Sequence, residues 1–147
     1  MGRPHAVTGR LGQRPRAARI LVVDDDPGAR AFVRRALESR GYSVREAEDG
    51  RAALRSVFDT PEATDLVVTD VRMPGLNGLE LAAMLSVARP EIRVIFVTGE
   101  APFSVADADL PDVSAVLAKP LLLEDLYRAV RDAVGDPPPA ADAESRP

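Results

Sequence analysis

Apolar runs recur along this chain, separated by segments that repeat their apolar positions at helical spacing. Ile20-Leu21-Val22-Val23, Leu66-Val67-Val68, Ile92 to Val97 (Arg93 aside) and Val116-Leu117-Ala118 are short and almost free of polar alternation. Runs of this kind read as parallel strands buried on both faces. They predict strands over Arg19–Asp24, Asp65–Asp70, Ile92–Val97 and roughly Ser114–Ala118, with Ser43–Ala47 as a shorter one. Between the first two, Gly28–Arg40 carries Ala29, Phe32, Val33, Ala36 and Leu37 on one helical stripe, and Gly41 stands where a left-handed cap is needed. Asp49-Gly50 opens a second helix expected to bury Ala53, Leu54, Val57 and Phe58. Met73 to Gly78 is turn chemistry, a third helix covers Leu79–Ala88, and Pro90 stops it. The last helix, Leu123–Val134, places Leu123, Leu126, Tyr127, Val130 and Val134 together. Strands alternating with helices imply right-handed crossovers and a three-layer α/β sandwich.

One stretch resists the pattern. Glu100 to Val113 holds Pro102, Pro111 and three aspartates without a clean stripe, which predicts a short or distorted helix.

Composition narrows the function. At 147 residues, 46% hydrophobic and 29% charged, the chain fits one ordinary globular domain. It has no cysteine, which removes disulfides and thiol catalysis, and its single histidine, His5, sits in a polar leader. A histidine-based triad or zinc site is therefore not expected. No stretch has the length of a membrane span or a secretory core, and a cytoplasmic location without membrane association is the expectation. Residues 1–19 carry five arginines and no acid, so residues 20–147 hold 14 bases against 23 acids. An acidic body argues against nucleic-acid binding. Residues 1–18 read as a disordered basic leader, and 135–147 as a disordered Pro-rich tail. Of 19 basic residues 18 are arginine, which leaves Lys119 as the one lysine.

The candidate chemistry gathers where the strands end. Strand one runs into Asp24-Asp25-Asp26, strand three into Asp70, strand four into Thr98-Gly99, and strand five into Lys119. In an open parallel sheet, chemistry lies beyond the carboxyl ends of the strands. Carboxylates, a hydroxyl and an ammonium thus meet at one rim. Two carboxylates about 5 Å apart repel by roughly 3 kcal/mol at an effective dielectric of about 20. A hard divalent cation with oxygen ligands offsets that repulsion. Individually, Asp24 to Asp26 could also serve a helix N-terminus, Asp70 and Thr98-Gly99 strand-end turns, and Lys119 solvent.

The segments ILVVDDDPGAR, VVTDVRMPGLNGLEL, VIFVTGE and LAKP, in this order and spacing, resemble the receiver domain of two-component response regulators over residues 19–134. The resemblance implies a flavodoxin-like three-layer sandwich with a five-stranded parallel sheet of order 2-1-3-4-5. It also implies that Asp70 is the phosphoacceptor, taking its phosphoryl group from a histidine kinase or histidine phosphotransfer protein. By the same resemblance, Asp24, Asp25, Asp70 and the backbone carbonyl of Arg72 would hold Mg²⁺, and Thr98 and Lys119 would each contact a phosphoryl oxygen. With no output domain expected after Val134, the reading is a stand-alone receiver: a phosphorylation switch or phosphorelay carrier with no enzymatic activity beyond its own phosphorylation and slow dephosphorylation.

Departures from the family pattern qualify this expectation. Val116 stands where relatives commonly carry an aromatic whose rotation reports phosphorylation, and a β-branched aliphatic has no ring to swing. The irregular Glu100–Val113 stretch occupies part of the usual output surface. Leu122 stands at the cap of the last helix, where relatives often have a polar residue. Leu121, Leu122 and Leu123 cannot all point inward, which leaves Leu122 as a candidate contact residue. Arg72 and Glu100 are expected to pair across the site entrance and slow loss of the phosphoryl group. A different-class reading is a phosphorylation-independent adaptor that retains the fold; the intact acidic set argues against it. An aspartyl-phosphate phosphohydrolase is a third, disfavoured because its nucleophile would follow strand one and its cap domain has no room here.

Overall fold

The computed structural model describes residues 16–99, 110 and 112–138. Its elements are β1 (Arg19–Val23), α1 (Pro27–Ser39), β2 (Ser43–Ala47), α2 (Gly50–Asp59), β3 (Leu66–Asp70), α3 (Gly78–Ala88), β4 (Arg93–Thr98), β5 (Val113–Ala118) and α4 (Leu123–Val134). The five strands form one parallel sheet in the order β2-β1-β3-β4-β5. This is the flavodoxin-like arrangement, with β1 and β3 adjacent at the point where the winding reverses.

Strand alternation distributes the core over both faces. Ile20, Val22, Leu66, Val68, Ile95 and Val97 pack beneath α1 and α4, against Val33, Leu37, Leu126 and Val130. Leu21, Val23 and Val67 point the other way, onto Ala53 and Val57 of α2 and Leu81 and Leu85 of α3. A smaller cluster of Val71, Ala82, Val94 and Phe96 continues that second face toward β5 and takes in Val116 and Leu110. The β4–β5 ladder slips by a residue between Val94 and Ile95, so Phe96 pairs with Val116 and Thr98 with Ala118.

Local chemistry starts and stops the helices. Asp26 caps α1 by accepting from Gly28 N at 3.0 Å, with Pro27 at the first helical position. Gly41, at φ +99°, ends the same helix in a conformation that side chains disfavour. Asn77 and Glu80 close a reciprocal capping box at α3 (2.8 and 2.9 Å). Leu122 caps α4 without a side-chain hydrogen bond and is 63% exposed, while Leu121 and Leu123 pack on the core.

Two aromatic expectations are corrected. Phe32 is 48% exposed and Phe58 is 44% exposed. Phe58 belongs to the last turn of α2 and lies under the Arg89 guanidinium, 4.8 Å from its ring centroid, at the edge of the layer rather than within it. Phe32 sits at the margin of α1 and lines a cavity beside the strand ends. β1 stops at Val23, one residue earlier than the sequence pattern suggests: the Asp24 N–H still donates to the Ala47 carbonyl at 3.2 Å, but its own carbonyl accepts from Arg30 Nη1 rather than from a neighbouring strand. The irregular segment expected over Glu100–Val113 lies mostly outside the described residues; Val113 itself begins β5.

Candidate functional site

The parallel sheet delivers the sequence-predicted residues to one rim. Asp24 follows β1, Asp70 ends β3, Thr98 ends β4, and Lys119 follows β5. Adjacent strands end level with each other, since Val23 pairs with Thr69, Asp70 with Val97, and Thr98 with Ala118. Lys119 is anchored there by its own backbone, whose N–H donates to the Thr98 carbonyl at 2.9 Å. The Lys119–Pro120 peptide that follows is cis.

Lys119 Nζ donates to Asp70 Oδ2 at 2.9 Å and lies 3.8 Å from Asp24 Oδ2. The other Asp70 oxygen, Oδ1, accepts from the Arg72 N–H at 3.2 Å. Asp24 Oδ1 accepts from Asp26 N at 2.9 Å. Thus Asp70 uses both carboxylate oxygens within the protein, and Asp24 has one oxygen fixed by the turn into α1. One oxygen from each of Asp24, Asp25 and Asp70 lies within 4.8 Å of the others. Asp24 is 7% exposed, Asp70 9% and Thr98 5%, whereas Asp25 faces solvent.

Electrostatics follow from this packing. Burial pushes the Asp24 carboxyl above its ordinary range, and the charges of Asp70 and Asp25 add to that push. The Asp26 N–H and Lys119 act in the opposite direction without cancelling it. For Lys119, burial alone would lower the pKa. The Asp70 hydrogen bond and the charges of Asp24, Asp70 and Asp26 outweigh it and raise the ammonium above its usual value. At separations up to 4.8 Å, each carboxylate pair repels by about 3.5 kcal/mol or more at an effective dielectric of about 20. Three carboxylates beside one ammonium leave two negative charges without a partner among these four groups. The donor set, all hard oxygen, fits a divalent cation such as Mg²⁺.

Two supports were not singled out from the sequence. Arg30 Nη1 donates to the Asp24 backbone carbonyl at 2.7 Å, and its Nε donates to Glu46 Oε1 at 2.8 Å. Arg34 bonds the second Glu46 oxygen. This tie joins α1, β2 and the β1 end, and its only sequence signal is an arginine one turn inside α1 opposite an acid on the edge strand. Gly78 is the other. A Cβ there would stand 2.1 Å from the Asp70 carbonyl oxygen, so α3 begins directly against the backbone of Asp70.

A cavity of about 270 Å³ opens beside the carboxylates, with Asp24, Asp70 and Lys119 on its polar side and Phe32, Pro120 and Leu121 on its apolar side. Val116, where a ring was missing from the expected pattern, is half-buried beside Phe96 and faces α3. The Arg72–Glu100 pair expected across the entrance involves Glu100, which is outside the described residues. No helix among the described residues is long and apolar enough to cross a membrane.

Comparison with known proteins agrees with this architecture. The chain is 39% identical over 127 residues to the transcriptional regulatory protein GlrR of Escherichia coli K12, an alignment that covers 85% of this chain and 28% of GlrR. It is 35% identical over 113 residues to the response regulator receiver protein CpdR of Brucella abortus, covering 76% of this chain and 92% of CpdR. The chain therefore spans little more than a quarter of one relative and nearly all of another. Among solved structures, the response regulator TrrA of Thermotoga maritima, crystallised in complex with Mg²⁺ and BeF, superposes with a TM-score of 0.72 at 30% identity, covering 80% of this chain and 99% of TrrA. The family model of the response regulator receiver domain matches residues 20–131, from β1 into the last turn of α4. With that match spanning most of the sheet and its helices, the chain belongs to the response regulator receiver domain family of two-component signalling.

Proposed function

We propose that Asp70 accepts a phosphoryl group from the phosphohistidine of a histidine kinase or histidine phosphotransfer protein, and that the phosphorylated domain signals by binding another protein or by passing the group on. The observation that carries this reading is the Asp70 carboxylate itself. It is nearly buried, bonded by Lys119 at 2.9 Å and by the Arg72 N–H at 3.2 Å, and within 4.8 Å of two further carboxylates. An Asp70 oxygen forms the O–P bond as the P–N bond breaks. The electron pair leaves with the imidazole nitrogen, which takes up a proton, and Asp70 becomes an acyl phosphate.

Positioning and charge neutralisation dominate phosphoryl transfer. Lys119 orients Asp70 beforehand and supplies positive charge to the arriving phosphoryl oxygens. Thr98, buried at the end of the neighbouring strand, offers a hydroxyl to another. Asp24, Asp25, Asp70 and the Arg72 carbonyl are the groups that would hold Mg²⁺, which when bound neutralises charge on carboxylates and phosphoryl oxygens. The Asp24 N-terminal turn and Arg30 keep that arrangement fixed. The acidic body favours a protein partner over nucleic acid.

The test is intact-mass spectrometry of the protein incubated with a small phosphodonor and Mg²⁺, beside Asp70→Asn. A single phosphoryl adduct that needs Mg²⁺ and is missing from the variant is the expected result. No adduct, with calorimetric titration also detecting no Mg²⁺ binding, would sink the proposal and favour a phosphorylation-independent adaptor.

A further inference from the structure

α3 is apolar on both sides. Its eleven residues, Gly78 to Ala88, carry one charge, Glu80. Leu81, Ala82 and Leu85 face the sheet, while Glu80, Ala83, Met84, Val87 and Ala88 face outward. A surface helix of a monomer normally turns a polar face to water. Here Met84 is 48% exposed and Val87 84% exposed, and Phe58 on the adjacent α2 is 44% exposed. Together they make an apolar strip on the face of the molecule opposite α1 and α4, away from the cavity beside Asp70.

The neighbouring helices are also in register. Gly50, at the start of α2, abuts Leu76, just before α3, and Phe58 near the end of α2 lies under Arg89, just after α3. The two helices therefore run side by side in the same direction. The outward ridge of α2 reads Arg51, Arg55, Phe58, and that of α3 reads Glu80, Met84, Val87, all exposed. Both ridges follow i, i+4, i+7 and each spans about 10.5 Å at about 1.5 Å per residue. Neither Arg51 nor Arg55 forms an ion pair among the described residues.

We propose that the α2–α3 face binds a second copy of this chain, with α2 of each protomer lying along α3 of the other. A two-fold axis parallel to the helices exchanges α2 and α3 while preserving their direction, so each ridge meets the other at matching levels. Arg51 then faces Glu80 of the second copy, the Arg55 stem lies along Met84, and Phe58 meets Val87. Each contact occurs twice, as an isologous interface requires. This opposition of charge at the same level on two neighbouring helices is what selects a rotated copy over an unrelated apolar helix. The face is small. Two helices about 16 Å long and 10 Å wide present roughly 320 Å² in outline, below the roughly 800 Å² per partner of a standard stable interface. The dimer is therefore weak, with a dissociation constant in the micromolar range or above.

Sedimentation equilibrium of the full chain from about 5 to 500 μM tests this. The weight-average mass rises with concentration from 15.7 kDa toward twice that value. Met84→Asp and Arg51→Glu each weaken association about tenfold or more, with unchanged circular dichroism because both positions are exposed. The double variant Arg51→Glu/Glu80→Arg restores the opposite-charge pairing and returns association to within about threefold of wild type. A monomer at every concentration overturns the proposal and leaves the strip to another protein. A dimer indifferent to Met84→Asp overturns it too, since assembly then uses another face. A double variant that keeps its helix content but stays as weak as Arg51→Glu overturns the crossed pairing.

Discussion

Replacing Gly78 with alanine is the sharpest test of how tightly the fold holds Asp70. Gly78 is the first residue of α3, and its N–H donates to the Val71 carbonyl at 3.0 Å. An added Cβ would meet the Asp70 carbonyl oxygen at 2.1 Å, with the Asp70 carbonyl carbon and Val71 Cα both at 3.0 Å. These are backbone atoms, which cannot rotate aside as a side chain would. Relief requires a displacement of about 1 Å in either α3 or the Asp70–Val71 backbone. Overpacking of this kind costs typically 1–3 kcal/mol, and about 2 kcal/mol is expected net of the small gain in helix propensity. For a domain of this size that lowers Tm by roughly 8 °C. On the role proposed for Asp70, displacing its backbone by about 1 Å should also slow phosphorylation on the order of 100-fold. Gly75→Ala is the control. At φ +73° with nothing within 4 Å of an added Cβ, it incurs only left-handed strain of about 1–2 kcal/mol and should leave the phosphorylation rate near wild type. The assays are thermal denaturation by circular dichroism and adduct formation followed by intact mass. If Gly78→Ala melts within 2 °C (roughly 0.5 kcal/mol) of wild type and phosphorylates at its rate, the close approach is not what holds Asp70 in place.

Other expectations follow from the same geometry. Mg²⁺ should raise Tm of the wild-type protein in a saturable manner, by about 2.7 kcal/mol of stability at 100 times the dissociation constant; Asp24→Asn should abolish most of that increment, measured by differential scanning fluorimetry. Leu122→Ser supplies the side-chain cap that α4 lacks and should stabilise the protein by about 1 kcal/mol in urea unfolding, whereas no change would mean that Leu122 contributes packing the structure does not reveal. Glu46 has its carboxyl held below the usual range, chiefly by the Arg30 hydrogen bond, with burial opposing and Arg34 assisting. A depressed folded pKa stabilises above the unfolded value, about 4.5, and that stabilisation is lost as pH falls through the folded value. Because the pair is partly solvated, Glu46→Gln should remove only roughly 0.5 kcal/mol at pH 7, and should flatten the wild-type decline of Tm below pH 4.5.

The strands were legible because β1, β3 and β4 are buried on both faces and so carry uninterrupted apolar runs. Once those runs are strands of one parallel sheet, their polar terminal residues must meet at a single rim, and Asp24, Asp70, Thr98 and Lys119 do. The helices were legible as elements but not always as faces. In α2 the spacing that groups Ala53 and Val57 also includes Phe58, yet the last turn lies at the layer's edge, and only position in the fold decides its exposure. In α3 nearly every residue is apolar, so no stripe distinguished Leu81 and Leu85 from Met84 and Val87. The Glu46–Arg30–Asp24 tie was invisible for another reason. It depends on β2 lying beside β1 while α1 crosses above them, a relation between elements that no local spacing encodes.

The hydrogen bond between Lys119 and Asp70 has a practical consequence. Lys119 is the single lysine side chain in the sequence, and its ammonium donates to Asp70 at 2.9 Å, a contact that helps raise its pKa above the usual value. An amine-selective reagent therefore finds no competing lysine elsewhere on the surface. The rate at which that one side chain is acylated reads out whether the carboxylate beside it is free, neutralised by a cation or esterified. The molecule thus carries a built-in chemical reporter at the Lys119–Asp70 pair, the place where the proposed phosphorylation would act.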